Sequence, residues 1–284
     1  MMPIHAQVLP LLLALGAVVG GEVQAAEPDT VIVRSGDLEL RALLWRPQGR
    51  GPFPAVLFNH GSGNAAGVDA RGRLNQRHPE LLGPVFTNHG YAFLYLFRRG
   101  DGLSRGQGVP SGDRMDSAFV EGGQDARNLV QEKLLETDEL GDALAGLAYL
   151  RTLPEVDSRR IAVMGHSFGG SLTLLVTERD SAVRAAVLFS AAGESFDRSP
   201  QLRLRLLTAV HNMTAAAFFL NAQNDYSLSA ARALTAELTR LGKPSLSKVY
   251  PPVGQTSEDG HNFVHLAISA WEPDVFAFLD ERTR

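Results

Sequence analysis

Arg160-Ile-Ala-Val-Met-Gly-His-Ser-Phe-Gly-Gly170 decides how the rest of this chain is read. Ile161 to Met164 is an apolar run of strand length, and Ser171-Leu-Thr-Leu-Leu-Val-Thr177 has the character of a helix packed behind it. Between them stands Gly165-His166-Ser167-Phe168-Gly169, the G-x-S-x-G pattern of a serine on a sharp strand-to-helix turn. Such a turn strains the serine backbone and lifts its hydroxyl above the sheet edge. Positions two before and two after it lie too close to neighbouring chain for a side chain, hence glycine at 165 and 169. The following helix aims free N–H groups and its positive dipole end at the same spot, favouring negative charge there. Glycine and serine are common, so the pattern gains weight from its strand and helix context rather than from the five residues alone.

Working outward, Thr30 to Arg34 and Leu38 to Trp45 read as a hairpin about Ser35-Gly36-Asp37. Pro54 to Phe58, Tyr91 to Phe97, Ala185 to Phe189, Ala215 to Leu220 and Leu246 to Tyr250 read as further strands. Helical spacing is expected over 78–88, 124–153, 200–211, 228–241 and 262–281, with Pro273 as a candidate break in the last. Residues 98–123, rich in Gly, Arg, Ser and Asp, read as a long surface loop. Buried strands alternating with helices predict an α/β fold: a mostly parallel central sheet of about eight strands with helices on both faces. In such sheets the site forms at the carboxyl ends of the strands.

Composition bounds the function. The 284 residues are 44% hydrophobic and 20% charged, with a net charge of −4, so no basic footprint points to nucleic acid. The absence of cysteine excludes disulfides, a thiolate nucleophile and cysteine–zinc sites. Val8 to Val19 resembles the apolar core of a signal peptide, and Val23-Gln24-Ala25 suits cleavage after Ala25. Lys and Arg are absent from residues 1–25, which leaves an uncleaved anchor as the alternative. The expectation is an exported protein, periplasmic or secreted, with residues 26–284 as one catalytic domain and no membrane association once the leader is gone.

A serine hydroxyl needs a histidine to take its proton, and that histidine needs an acceptor to fix its tautomer. Of eight histidines, His261 is placed best. It lies in Asp259-Gly260-His261-Asn262-Phe263, after the last strand, at the carboxyl edge of the sheet. His265, four residues on, suggests a metal pair, but Asn262 stands where a zinc-protease helix carries its glutamate. Asp225, in the turn after strand 215–220, is the expected acid, with Glu194 as the second choice. The order Ser167, Asp225, His261 then follows. Two N–H donors are expected to face a developing oxyanion: Phe168, after the serine, and Ser62 in Asn59-His60-Gly61-Ser62-Gly63, with Gly61 or Gly63 as alternatives. A dinucleotide loop is the rival for this turn, but Gly61, Gly63 and Gly67 have the wrong spacing for one.

These motifs together resemble the α/β-hydrolase superfamily, and within it the dienelactone hydrolase-like proteins and the catalytic domains of prolyl-oligopeptidase-type enzymes. The residues that carry the resemblance are Asn59-His60-Gly61, Arg98-Arg99-Gly100-Asp101-Gly102-Leu103-Ser104, Gly165 to Gly170, Asp225 and Gly260 to Phe263. It implies serine-hydrolase chemistry on a small ester, or on a short peptide, with no cofactor or metal. Dienelactone hydrolases proper use a cysteine nucleophile, whereas this chain has Ser167. Arg99, in the loop after strand 91–97, is a candidate ligand for a substrate carboxylate; the alternative is that it braces its loop through ion pairs.

Overall fold

The computed structural model describes residues 27–63 and 78–283. The expected leader at 1–25 and most of the segment after Ser62 lie outside them. Eight strands form one sheet in the order β1-β2-β4-β3-β5-β6-β7-β8. These are β1 (Asp29–Ser35), β2 (Leu38–Trp45), β3 (Phe53–Asn59), β4 (Ala92–Leu96), β5 (Val156–His166), β6 (Ala185–Phe189), β7 (Ala216–Ala222) and β8 (Ser245–Tyr250). Pairs β1–β2 and β2–β4 are antiparallel, and all other pairs are parallel.

Ten helices complete the described fold: α1 (His78–Asn88), α2 (Ser111–Glu136), α3 (Asp138–Thr152), α4 (Phe168–Arg179), α5 (Ser195–Arg198), α6 (Pro200–Asn212), α7 (Ser229–Arg240), α8 (Ser257–His261), α9 (Phe263–Leu266) and α10 (Ile268–Thr283). The central strands are apolar on both sides because both sides are covered. In β3, Ala55 and Leu57 join the apolar cluster under α2, α3, α4, α6 and α7. Val56 and Phe58 alternate into the opposite cluster, which contains Phe86 of α1 and Trp271, Phe276 and Leu279 of α10. Ile161/Val163 and Ala162/Met164 of β5 divide the same way.

The chain runs from β3 to β4 on one side, then returns past β3 to lay β5 on the other. The order therefore reverses between β3 and β5, whose last pairing is Asn59 with Gly165. That crevice is where an open α/β sheet places its site. Among the described residues no helix is long and apolar enough to cross a membrane.

Two expectations need correction. Residues 98–123 are not all loop: a 3₁₀ turn spans Gly102–Ser104, and α2 begins at Ser111. The start of α2 carries few apolar residues, and Gly122 and Gly123 leave helical geometry, with φ of +70° at Gly123, so its sequence has no unbroken period to read. The helix expected over 262–281 is two pieces, α9 and α10, broken at Ala267, and a further short helix, α8, precedes it and ends at Asn262. Pro273 lies inside α10 without ending it.

Candidate active site

Ser167 stands between the end of β5 and the first residue of α4, with φ 56° and ψ −119°. A side chain in this left-handed region costs free energy that the surroundings must offset. Main-chain bonds hold it there. Its N–H donates to Phe189 O at 3.0 Å, and its carbonyl accepts from Gly170, Ser171 and Ala192 at 2.9, 3.2 and 3.1 Å. The flanking glycines are sterically required. A Cβ on Gly165 would lie 2.1 Å from the Gly169 oxygen, and one on Gly169 would lie 2.0 Å from the Asn59 oxygen.

His261, at the end of α8, brings Nε2 to 2.8 Å from Ser167 Oγ, and Nδ1 to 2.7 Å from Asp225 Oδ1. An ionised carboxylate only accepts, so Nδ1 carries the proton and Nε2 offers its lone pair to the serine hydroxyl. The Asp225 side chain is fully buried. Burial alone would raise its pKa; the His261 hydrogen bond and charge, with the Asn221 amide, outweigh this and hold it below the ordinary value. Asn221 Nδ2 donates to Oδ2 at 2.8 Å and the Tyr226 N–H donates to Oδ1 at 2.7 Å.

The loops carrying Asp225 and His261 are tied to each other. Asn224 Nδ2 donates to the carbonyls of Val253 and Thr256 at 2.8 and 2.7 Å, and Asn224 Oδ1 accepts from Val253 N–H at 2.9 Å. Thr256 caps α8 in a reciprocal pair with Asp259. His166, beside the serine, lies 2.8 Å through Nε2 from the carbonyl of His261 and so fixes its backbone. Glu194, the second-choice acid, is half-buried and paired with Arg198 at 2.6 Å, away from this chain of bonds.

Phe168 N–H belongs to the first turn of α4, where no helical acceptor exists. The turn after β3 passes close by, since a Cβ on Gly61 would lie 3.6 Å from Ser167 Cβ. Ser62 is exposed beside it, and residues 64–77, Gly67 among them, lie outside the described residues. What holds this turn is Arg98, whose role sequence reasoning missed. Its Nη2 donates to Gly61 O at 2.9 Å, and its backbone N–H donates to His60 Nε2 at 3.2 Å. Its guanidinium pairs with Glu139, both side chains fully buried, and lies 5.7 Å from the centroid of the Phe168 ring. The only signal for it in the sequence is its place in Arg98-Arg99-Gly100-Asp101, next to Arg99. Arg99 itself binds Asp142 through Nε and Nη2 at 2.9 and 2.7 Å and pairs with Asp138 at 3.1 Å. Of the two roles open to Arg99, this is the geometry of the loop brace.

The dienelactone hydrolase family model matches residues 96–264, which span β4 to α9. A quorum-quenching protein, AidA, of Acinetobacter baumannii is 28% identical over 153 residues, or 54% of this chain. The match covers 40% of that relative, so the chain spans well under half its length. Among solved structures, acylaminoacyl peptidase of Pyrococcus horikoshii superposes over 96% of this chain and 44% of its own, with a TM-score of 0.65 and 17% identity. A dienelactone hydrolase of Anabaena variabilis superposes over 91% of this chain and all of its own, with a TM-score of 0.59 and 18% identity. An esterase of Pyrococcus furiosus covers 91% of this chain and 92% of its own, at 0.61 and 14%. At such identities these likenesses carry the fold, which is that of the α/β-hydrolases. The family match runs from the end of β4 through the serine, aspartate and histidine described above, and by it this chain belongs to the dienelactone hydrolase family.

Proposed function

We propose that this chain is a serine hydrolase that cleaves small carboxylic esters through an acyl-enzyme. The observation that carries the reading is the continuous hydrogen-bonded path from Ser167 Oγ through His261 to the buried Asp225, starting from a serine held in a strained backbone conformation. Ser167 Oγ attacks the carbonyl carbon while His261 Nε2 takes its proton. Asp225 keeps the proton on Nδ1 and stabilises the imidazolium. The carbonyl oxygen becomes an oxyanion facing the N–H groups of Phe168 and Ser62, and one such donor contributes about 3 kcal/mol to the transition state. His261 then protonates the departing alcohol. Water, deprotonated by the same histidine, releases the acid and restores Ser167. These five groups complete this chemistry without a metal or cofactor.

Two considerations favour an ester over an amide. The family takes its name from a lactone, a cyclic ester. An ester oxygen also leaves with little help from the acid, whereas an amide nitrogen must be fully protonated before its bond breaks, so the path described suffices for an ester without a dedicated site for an amine. Residues 26–284 are the proposed catalytic domain, acting outside the cytoplasm after removal of the leader, on a small-molecule substrate. The test is the intact mass of protein lacking residues 1–25 after exposure to a fluorophosphonate, beside Ser167→Ala. One adduct on the parent and none on the variant is expected, followed by turnover of short-chain aryl esters ahead of the matching anilides. A folded parent that takes no adduct sinks the reading. Faster cleavage of the anilides would replace the esterase with a peptidase.

A further inference from the structure

We propose that Tyr226 is a positioning residue for His261: its ring, tethered by Glu258, covers the imidazole and shields the His261–Asp225 bond from water. The inference rests on the reading of His261 and Asp225 as the acid–base pair. The ring centroids of Tyr226 and His261 are 4.6 Å apart with planes inclined at 36°, so the phenol lies against the face of the imidazole rather than beyond its edge. Tyr226 is 36% exposed while His261 is 7% exposed, so the phenol has solvent on its outer side and the histidine does not. Gly193 closes on another part of the ring: a Cβ there would lie 3.0 Å from His261 Cε1.

The tether accounts for how a loop tyrosine stays in place. Its hydroxyl donates to a Glu258 carboxylate oxygen. The other oxygen of Glu258 accepts from Asn262 Nδ2 at 2.9 Å. Glu258 and Asn262 flank His261 at α8, so the phenol is anchored to the element that carries the base. Its own N–H meanwhile donates to Asp225 Oδ1, so one residue touches both members of the pair.

Three physical consequences follow from this placement. The two in-plane hydrogen bonds of His261 fix its edges but leave ring tilt soft; a plane packed on its face stiffens that motion. Excluding water lowers the local dielectric and strengthens the Nδ1–H to carboxylate bond. When Nε2 takes the serine proton, the new positive charge lies against an aromatic face, which attracts it. All three act on the transition state and leave the acyl and alcohol groups of a substrate untouched.

The experiment compares parent, Tyr226→Phe and Tyr226→Ala proteins by proton NMR and by steady-state ester kinetics, with thermal melts to show that each is folded. The parent is expected to show the far-downfield resonance of an Nδ1 proton protected from solvent exchange. Tyr226→Ala should lose that resonance and about tenfold in kcat at nearly unchanged KM. Tyr226→Phe keeps the ring but loses the tether to Glu258, so it should fall between the two, with the resonance weakened by faster exchange and kcat down about threefold. A protected resonance in folded Tyr226→Ala with kcat within about twofold would overturn the proposal, as would a parent with no protected proton at all. A parent that shows the resonance but takes no fluorophosphonate adduct would sink the hydrolase reading instead, and the resonance in the variants would still decide the role of Tyr226.

Discussion

Ser167 lies at the end of a strand paired on both sides and opens a helix at once, so main-chain atoms set its position. Asp225 lies in the turn past β7 and His261 in the short helix α8 past β8, and side chains set the geometry of both: Asn221, Asn224, Tyr226, Thr256 and His166. The proposed nucleophile is specified by what is absent, a Cβ at 165 and 169, and the proposed acid–base pair by what is present. The difference predicts different failures. Substitution of the glycines flanking Ser167 should disturb the fold, whereas substitution of Asp225 or His261 should leave the fold and remove the chemistry.

The sharpest test of the acid–base side is Asp225→Asn. The amide keeps the shape of the carboxylate but presents a donor to Nδ1, which forces the proton of His261 onto Nε2, where it can no longer accept from Ser167. A loss on the order of 10⁴-fold in kcat is expected with a melting temperature near that of the parent. A loss below about tenfold would show that Asp225 is not the orienting acid.

On the serine side the corresponding change is Gly169→Ala. Its Cβ would fall 2.0 Å from the Asn59 oxygen and 2.3 Å from the His60 oxygen, both backbone atoms of the β3 turn. No side-chain rotation relieves such a clash, so the elbow or the turn must move. We expect a loss of at least ~3 kcal/mol in urea unfolding, together with the loss of fluorophosphonate labelling. A stable, fully active alanine variant would break the contrast between the two sides.

The same contrast explains what could be read beforehand. Gly165, Ser167, Gly169 and the apolar alternation of β3 and β5 are local patterns, and they lead to the sheet, the elbow and the order Ser167, Asp225, His261 without any contact being known. The start of α2 escaped because two glycines interrupt its period. The α8–α9–α10 breaks escaped because they depend on Thr256 capping one short helix and Asn262 ending it. Arg98 escaped for a related reason: its partners are the carbonyl of Gly61 and the carboxylate of Glu139, distant in sequence and invisible to spacing. Arg99 and Asp142 are likewise 43 positions apart.

Burial acts on two carboxyls of the site region, Asp225 and Asp101, and only Asp225 has enough partners to offset it. Asp225 is held below the ordinary range by His261 and Asn221. Asp101 is 6% exposed, packed against Gly63 in the turn after β3, and burial pushes it up to about 7; Arg98 opposes the rise, while Glu139 and Asp113 add to it. Below the ordinary aspartate value of 3.8, folded and unfolded chains both hold this proton and stability is unaffected. As pH rises above it, the unfolded chain releases the proton and the folded chain keeps it, so stability falls until Asp101 ionises near 7. The full linkage is at most about 4 kcal/mol, and relaxation around the carboxylate should bring it nearer 2 kcal/mol. Asp101→Asn removes the titration while keeping the shape of the neutral acid. The variant should match the parent near pH 4 and exceed it by about 2 kcal/mol at pH 8, the gap opening between those values. Because both proteins share every other titrating group, the difference between their stability curves isolates this carboxyl. A gap that stays constant with pH would mean that Asp101 ionises as it does in the unfolded chain, with Arg98 serving it as His261 serves Asp225.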